Sequence, residues 1–362
     1  MKKVFLSLIM AMLFLALTAC GGSTGDSGAA STDTRIFIDS AGREVEIPKT
    51  LESIICVDVG ALRYTVYMGA QDLVVGVEDY ETEQSIFRLY NYIHFDQFKD
   101  LPVIGNNGEQ YIEEIIRVSP QVIVMAGRDG SRADALQDKT GIPVVLVPGS
   151  DTTLDDSAYE TFRLMGELYG KEDRAEEITS YCKALEADLA SRTANITEHP
   201  SVYVGCVAYK GYHGMEGTEA GYGPLALFGA NNLADETGIT GAFNCEEEQL
   251  LVWDPDIIFL DYTGLDIFAD QYAANPEFYD SLSAVQNGQI YAQIPFRSFA
   301  SNLETALADA YYAATVIYPE AFADIDVEAK TREILTAILG TDAYDQLKEN
   351  GYEFKALTLR TQ

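Results

Sequence analysis

The feature of this sequence that most limits its fold is a long central stretch, residues 154–195, that contains no strand pattern. Its apolar side chains recur at helical spacing, first at Ala158, Phe162, Met165 and Leu168 and then at Ile178, Tyr181, Leu185 and Leu189. This periodicity predicts two consecutive helices. The second helix can form a stiff bar between two domains; the alternative is a pair of surface helices on one domain.

The ends of these helices can also be predicted from the sequence. Asp155 and Asp156 are suited to cap the first helix and to favour its positive end, and Gly170 is suited to end it. The second segment, from Lys171 to about Ala194, is a charged amphipathic helix.

On both sides of this stretch, short β-branched runs alternate with helical patterns such as Ala61–Gly69 and Glu109–Val118. The runs are Ser53–Val57, Leu73–Val77, Val122–Ala126 and Val144–Val147, then Val202–Ala208, Ile257–Leu260 and Gln289–Ala292. Such alternation is typical of α/β layers with mainly parallel sheets. We predict an N-terminal lobe over residues 35–153, bridging helices over 154–196 and a C-terminal lobe over 197–362.

The two halves share one short pattern. Glu113 stands seven residues before Pro120, and Glu248 stands seven residues before Pro255; in each case a helical run leads through the proline into an apolar strand. Proline ends a helix and favours an extended segment. The repeat predicts two lobes of similar build.

The N-terminus has the features of an export signal. Lys2 and Lys3 precede an apolar run, Val4–Leu17, which is too short for an ordinary membrane-spanning helix. We predict a signal peptide over residues 1–19. Leu17-Thr18-Ala19-Cys20 resembles a bacterial lipobox, which implies lipidation of Cys20; a plain signal peptide is the alternative. Residues 20–34 are rich in Gly, Ser and Thr and read as a flexible tether.

The charge of the chain limits its partners. The formal net charge is −33, which argues against nucleic acid or anionic lipid as a binding partner. The negative charge favours a cationic or metal-bearing ligand; the alternative is that it only forms a solvated acidic surface.

The cysteines and histidines do not predict a resident metal site or cofactor. No Cys-x-x-Cys pair occurs, and only three histidines are present. Cys56 and Cys206 fall in apolar runs, where a thiol behaves as a small hydrophobe. A Cys206–Cys245 disulfide is one pairing that the sequence leaves open.

Several segments together resemble the periplasmic-binding-protein family for ferric siderophores, heme and vitamin B12. Ile38–Pro48 is similar to the opening hairpin of that family. The other matching segments are Gly60–Arg63, Met68–Ala70, Val74–Val77, Leu101–Gly105, Ser119–Ile123, Asn232–Asp235 and Trp253–Ile258. The resemblance runs from about Arg35 to the C-terminal region.

This resemblance implies two Rossmann-like lobes bridged by a long helix, a ligand cleft between them and little hinge motion. It also implies that Glu113 and Glu248 dock into arginines of a membrane permease dimer. Two separated carboxylates would fix position and orientation on a two-fold partner. The alternative is that each glutamate merely occupies the first turn of a helix, near its positive end.

Candidate ligand contacts follow strands, because the carboxyl ends of parallel strands gather at one sheet edge. In the first half they are Arg63, Tyr92 and Arg128; in the second half they are Tyr209, His213, Tyr222, Phe296 and Arg297. Aromatic rings give broad contact with planar ligands, and arginine offers a forked donor to carboxylates. Core packing of the aromatics and a hydrogen-bonded loop histidine are the alternatives.

The expected function is therefore capture of an iron–siderophore, heme or corrinoid-type ligand, outside the cytoplasm and on a lipid anchor, for delivery to an ABC permease. A receptor for another metal ion or chelate is one alternative. An extracellular enzyme is another, although neither a Gly-x-Ser-x-Gly elbow nor a glycine-rich phosphate loop is found.

Overall fold

The two halves of the sequence fold into two α/β lobes in the computed structural model, which describes residues 33–149 and 154–359. The strands are β1 Thr34–Ile38, β2 Glu44–Pro48, β3 Ile54–Val57, β4 Val77–Glu78, β5 Val103–Asn106, β6 Glu109–Gln110, β7 Val122–Ala126, β8 Val144–Val147, β9 Ser201–Gly205, β10 Gly217–Ala220, β11 Asn231–Asn232, β12 Gly241–Asn244, β13 Ile257–Asp261, β14 Ile290–Gln293 and β15 Lys355–Ala356. The helices are α1 Ala61–Tyr67, α2 Leu89–Phe98, α3 Ile112–Val118, α4 Gly130–Thr140, α5 Asp156–Tyr169, α6 Glu172–Thr193, α7 Gly223–Ala226, α8 Glu247–Trp253, α9 Leu265–Ala274, α10 Pro276–Asp280, α11 Ser283–Gln286, α12 Leu303–Ile317, α13 Val327–Leu339 and α14 Tyr344–Glu349.

The N-lobe is built on the parallel sheet β3-β7-β8, with β7 in the centre. Its strands are continuous apolar runs, as expected for strands that are covered on both faces. A second sheet, β4-β5-β6, continues beside it, and β1 and β2 form an antiparallel hairpin at the start of the chain. The hairpin agrees with the family resemblance of Ile38–Pro48.

The C-lobe repeats this arrangement with the sheet β11-β9-β13-β14-β15, in which β9, β13 and β14 are parallel. β13 takes the central place that β7 has in the N-lobe. Only β15 at the edge runs antiparallel. Both lobes are therefore mainly parallel, and the predicted fold class is confirmed.

The central stretch forms the two predicted helices. The Asp155 carboxylate accepts a hydrogen bond from the Ala158 backbone N at 2.9 Å, and Gly170 ends α5 in the left-handed conformation with φ 64°. α6 then continues for 22 residues, which corresponds to a length of roughly 33 Å. α6 is the bar between the lobes.

One continuous apolar core joins the lobes through this bar. Val124 of β7, Leu185 of α6 and Val204 of β9 belong to the same cluster of buried side chains. The two lobes therefore share one packed interior.

The repeated pattern of the sequence is a repeated structure. α3 and α8 each have seven residues, and each ends at a non-glycine residue in the left-handed conformation, Ser119 with φ 50° and Asp254 with φ 42°. The proline follows, and then the central strand. In the N-lobe the backbone N–H of Gln121 donates to the carbonyl of Ser53 at 3.0 Å. In the C-lobe the backbone N–H of Asp256 donates to the carbonyl of Ser201 at 3.1 Å.

Two predicted elements are wrong in part, and the structure decides one cysteine pairing that the sequence left open. Residues Gln71–Leu73 form a 3-10 turn, Val74 makes an isolated parallel bridge to Ile54, and β4 begins only at Val77. Residues 109–110 pair with β5 instead of starting α3. Cys206 and Cys245 are free, buried thiols, so the disulfide is not formed.

The predicted signal peptide over residues 1–19 and the predicted lipidation site Cys20 lie outside the described residues. So does the tether, except for its last two residues, of which Thr34 already begins β1. Within the described ranges, no helix has the length and apolar composition needed to cross a bilayer.

Candidate functional site

A cleft of about 540 Å³ lies between the lobes. It opens at the carboxyl ends of β9, β13 and β14, where ligands bind in open α/β sheets. Its walls are Phe87 and Asn107 of the N-lobe, with Ala208, Tyr209, Lys210, Gly211, Tyr212, Ala242, Thr263, Arg297, Ser298, Phe299 and Ala300 of the C-lobe.

The C-lobe loops that form this wall hold a strained backbone. Lys210, Phe299 and Ala300 have φ values of 49°, 49° and 69°, a region that non-glycine residues rarely adopt. Each such residue costs about 1–3 kcal/mol, and such costs are concentrated at binding sites. The loops that carry the candidate contacts are therefore held in shape by their surroundings.

Aromatic side chains stand along the cleft wall. The Tyr212 side chain is 65% exposed and that of Phe299 is 39% exposed. The Tyr209 ring stacks on His213 with centroids 4.5 Å apart, and its hydroxyl donates to Asn244 Oδ1 at 3.1 Å. The exposed Lys210 lies between these rings along the loop. This wall can cover a planar or aromatic ligand.

Arg297 stands at the cleft wall as half of an ion pair. Its Nη2 donates to Oε1 of Glu219, a side chain that is only 4% exposed. Burial raises the pKa of Glu219, against the lowering effect of Arg297. Because 29% of the Arg297 side chain stays exposed, it can also reach a ligand, but its charge is largely offset by Glu219.

A set of contacts that we name the interlobe latch ties residues 298–302 of the C-lobe to the N-lobe. The rings of Tyr80 and Phe299 stack with centroids 4.3 Å apart and planes 5° apart. The Arg88 guanidinium lies 5.3 Å from the Tyr80 ring centre and 5.0 Å from that of Phe299. Cation–π contacts of this kind strengthen with burial.

The buried Arg63 of α1 forms the second part of the latch. Its Nη2 donates to the carbonyls of Ser298 and Phe299 at 2.8 and 2.7 Å, and its Nε donates to Asn302 Oδ1 at 3.0 Å. The Asn302 side chain then donates to the carbonyl of Phe87 at 3.0 Å. The loop after β14 is therefore held at both ends by the opposite lobe.

Two carboxylates of the N-lobe, Glu78 and Asp58, lie behind the cleft wall and are both hydrogen-bonded. Oε2 of Glu78 accepts a hydrogen bond from the Tyr80 hydroxyl at 3.0 Å, and its Oε1 accepts one from the backbone N of Gly108, next to Asn107 of the wall. Burial raises the pKa of Glu78 to about 7. Asp58 is paired with Arg132 through two contacts of 2.7 Å.

The structure brings only some of the eight candidate ligand residues to the cleft. Tyr209 and Arg297 line it. His213 lies behind Tyr209, and its Nε2 is hydrogen-bonded to the Tyr209 carbonyl oxygen at 2.9 Å. Tyr222 and Phe296 are 1% exposed and meet edge to face beneath Arg297.

The three N-lobe candidates have other surroundings. Arg63 belongs to the latch. Arg128 pairs with Glu160 of α5 at 2.8 Å. The Tyr92 hydroxyl accepts a hydrogen bond from the side chain of Asn350, just after α14, at 3.3 Å. These contacts give all three residues structural partners.

Other cleft residues are missing from the predicted set. Lys210, Tyr212 and Phe299 lie in loops that the sequence already indicates, whereas Phe87, Asn107 and Thr263 carry no recognisable signal. Glu219 could not be predicted either, because its ion-pair partner Arg297 is 78 positions away in the sequence. Only the fold shows that the two meet.

The two candidate docking glutamates occupy equivalent places. Glu113 lies in the first turn of α3 and Glu248 in the first turn of α8, and both are exposed. Each glutamate stands seven residues before the proline that leads into the central strand of its lobe, so the two hold the same place in the repeated unit.

The described residues hold no group of three or more His, Cys, Asp or Glu side chains that could bind a metal ion. The described cysteines are buried, and burial raises the pKa of Cys206 well above its ordinary value. Neutral thiols of this kind are inert.

Comparisons with known proteins agree with this architecture. The periplasmic binding protein family matches residues 68–293. A search of curated proteins finds no match to this sequence.

Solved structures share the fold at low sequence identity. The periplasmic solute binding protein from Veillonella parvula is 20% identical over 86% of this chain and 94% of that one, with a TM-score of 0.70. The molybdate periplasmic binding protein MolA from Haemophilus influenzae is 19% identical over 85% and 98%, with a TM-score of 0.66. The periplasmic heme-binding protein RhuT from Roseiflexus is 18% identical over 75% and 99%, with a TM-score of 0.54.

The family match covers more than half of the chain, and the fold, the bridging helix and the cleft are consistent with it. Members of this family bind small molecules outside the cytoplasm and deliver them to membrane permeases; they are not enzymes. This chain belongs to the periplasmic binding protein family.

Proposed function

We propose that this protein captures a bulky, partly planar chelate of the iron–siderophore, heme or corrinoid type and delivers it to an ABC permease. The observation that carries the proposal is the cleft itself, with a volume of about 540 Å³ and a wall of exposed aromatic rings. Cavities of roughly 300–1,000 Å³ accommodate ligands of this size.

The charges at the cleft support a ligand of mixed character. Lys210 and Arg297 can contact carboxylate or catecholate oxygens, while the aromatic rings cover a flat surface. The Glu219 carboxylate offsets Arg297, so the wall is not strongly cationic. A large chelate with few net negative charges suits this balance better than a small, highly charged oxyanion.

The relatives of known structure include proteins named for molybdate and for heme, ligands of very different size. The choice between them has to come from this cleft. A receptor for a bare metal ion or a small oxyanion is the second candidate, and it would leave most of the aromatic wall without contact.

Native mass spectrometry and calorimetry on the mature protein test the proposal. The panel contains ferric catecholate, hydroxamate and citrate siderophores, hemin and cobalamin, with molybdate and nickel–histidine as the small ligands. We expect binding of one bulky compound, and Tyr212→Ala should weaken it. Tyr111→Ala, at a tyrosine that is 40% exposed outside the cleft, is the matched control. Binding of molybdate or nickel–histidine alone would refute the bulky-ligand proposal.

We further propose that the protein is held at the outer face of the membrane by a lipid on Cys20. The lipobox-like Leu17–Cys20 and the Gly/Ser-rich segment behind it support this proposal. Expressed in a bacterium that processes lipoproteins, the wild type should partition into detergent, whereas Cys20→Ala should not. Unmodified Cys20 in the mature wild type would contradict the anchor.

The contact with the permease is proposed to be made by Glu113 and Glu248. Their exposure, and their equivalent places at the starts of α3 and α8, support a partner with two-fold symmetry. Carboxylates placed this way would steer and orient the receptor on basic groups of the two permease subunits.

A further inference from the structure

The helices that carry Glu113 and Glu248 also carry exposed apolar side chains at equivalent positions. Ile116 is 48% exposed and Leu251 is 44% exposed, and each follows its glutamate by three residues. Residues three apart lie on the same side of a helix. Each lobe therefore presents a carboxylate and an aliphatic side chain side by side.

The equivalence extends to the buried face of each helix. Ile115 and Leu250 come directly before these residues and are 0% and 3% exposed. Ile112 and Val118 of α3 and Trp253 of α8 also pack against the cores, whereas Ile116 and Leu251 do not belong to them. Ile116 and Leu251 are not needed for the packing of their helices.

Exposed apolar residues are common on protein surfaces when they are scattered singly. Here they are concentrated. Of the ten large hydrophobic side chains that are exposed among the described residues, Tyr212 and Phe299 lie in the cleft. Four others, Tyr111, Ile116, Leu251 and Val252, lie on α3 and α8 or on the residue before α3. The cleft and the two helices with the glutamates therefore account for six of the ten.

We propose that Ile116 and Leu251 form a pair of apolar contacts, one on each subunit of the permease dimer, beside the two glutamates. The inference rests on the proposed docking function and deepens it: the partner must offer an apolar recess next to each basic group. A two-fold partner presents the same recess twice, which matches one aliphatic side chain on each lobe. Desolvated apolar contacts carry binding energy, while the charges set orientation and encounter.

The test measures binding of the full mature receptor to its permease complex in nanodiscs, by biolayer interferometry at several salt concentrations. The variants are Ile116→Gln, Leu251→Gln and the double variant, because glutamine keeps helix propensity and removes the apolar surface. Ile267→Gln is the matched control, since Ile267 is 37% exposed on α9. Thermal melting of each variant confirms that it is folded.

We expect the double variant to raise Kd about tenfold or more, at every salt concentration, while the control stays within twofold. The slope of log Kd against log salt should not change, because no charge is removed. Glu113→Gln/Glu248→Gln should instead flatten that slope. A double apolar variant within twofold of the wild type would overturn the inference, even if the glutamate variants weaken docking. Loss of binding in the apolar variants alone would keep the two helices as the permease contact, but it would overturn both the glutamate docking and the basic group beside each recess.

Discussion

The Tyr80 and Phe299 rings, which lie on opposite lobes, stack with centroids 4.3 Å apart and planes 5° apart, at the edge of the ligand cleft. Phe299 also lines the cleft, so one side chain both joins the lobes and faces the ligand. A ligand that contacts Phe299 would meet a residue whose position is set by the N-lobe.

Replacing Phe299 by alanine should lower both stability and ligand affinity. The variant loses the ring pair with Tyr80 and the cation–π contact with Arg88, which should lower the free energy of unfolding by about 1–2 kcal/mol. Tyr212→Ala is the comparison, because Tyr212 is 65% exposed at the same cleft and should change stability by less than about 0.5 kcal/mol. Urea unfolding measures the difference; equal stability of the two variants would show that the ring stack contributes nothing.

Arg63 should be a structural residue of the latch. In Arg63→Gln the carbonyls of Ser298 and Phe299 lose a charged donor in a buried setting, so we expect a loss of about 3–5 kcal/mol in the free energy of unfolding. Arg128→Gln is the matched control, because the Arg128 side chain is 50% exposed and its pair with Glu160 should be worth less than about 1 kcal/mol. If both variants unfold at the same urea concentration, the latch does not hold the lobes.

The roles of Arg297 in stability and in binding can be separated through Glu219. Arg297→Gln leaves a nearly buried carboxylate without its partner and should cost about 3 kcal/mol at neutral pH. The double variant Arg297→Gln/Glu219→Gln removes both charges and should regain most of that stability. We expect its affinity for the identified ligand to stay reduced by about tenfold or more. If the double variant recovers ligand affinity as well as stability, Arg297 does not contact the ligand and serves only as the ion-pair partner of Glu219.

The buried Glu78 should make the protein less stable at high pH. Burial raises the pKa of its carboxyl from 4.5 to about 7. Well below pH 4.5 both states are protonated and the folded protein carries no penalty. Between pH 4.5 and about 7 the unfolded state loses its proton while the folded state keeps it, so the free energy of unfolding falls over this range and reaches its full loss above pH 7. Glu78→Gln, which stays neutral, should therefore raise the free energy of unfolding by about 1–3 kcal/mol at pH 8 and have little effect at pH 4.5. Equal effects at both pH values would rule out this coupling.

Removing the two docking charges should impair delivery without affecting capture. Glu113→Gln and Glu248→Gln keep the shape of each side chain, and a role at the helix dipole would be worth only about 0.3–1 kcal/mol of stability. We expect the melting temperature and ligand affinity to change little, while uptake through the permease falls, most strongly in the double variant. Normal uptake by the double variant at limiting receptor concentration would show that the two glutamates do not dock the permease and only occupy the first turns of their helices.

Local features were readable from the sequence because their causes lie within a few residues. The Asp155 cap, the left-handed Gly170 and the helix–Pro–strand units at Pro120 and Pro255 depend only on near neighbours along the chain. The apolar runs of β7 and β8 had correct bounds because both faces of these strands are covered. The two-lobed class with its bridging helix followed from these elements.

Which loop side chains meet was decided only by the tertiary structure. Arg63 finds its carbonyl partners more than 230 positions along the chain, and Arg297 meets Glu219 across 78 positions. The sequence therefore placed Arg63, Tyr222 and Phe296 among the ligand contacts, whereas burial at 1% assigns them to the latch and the core. The free energy of such contacts depends on long-range packing and desolvation, which local patterns do not encode.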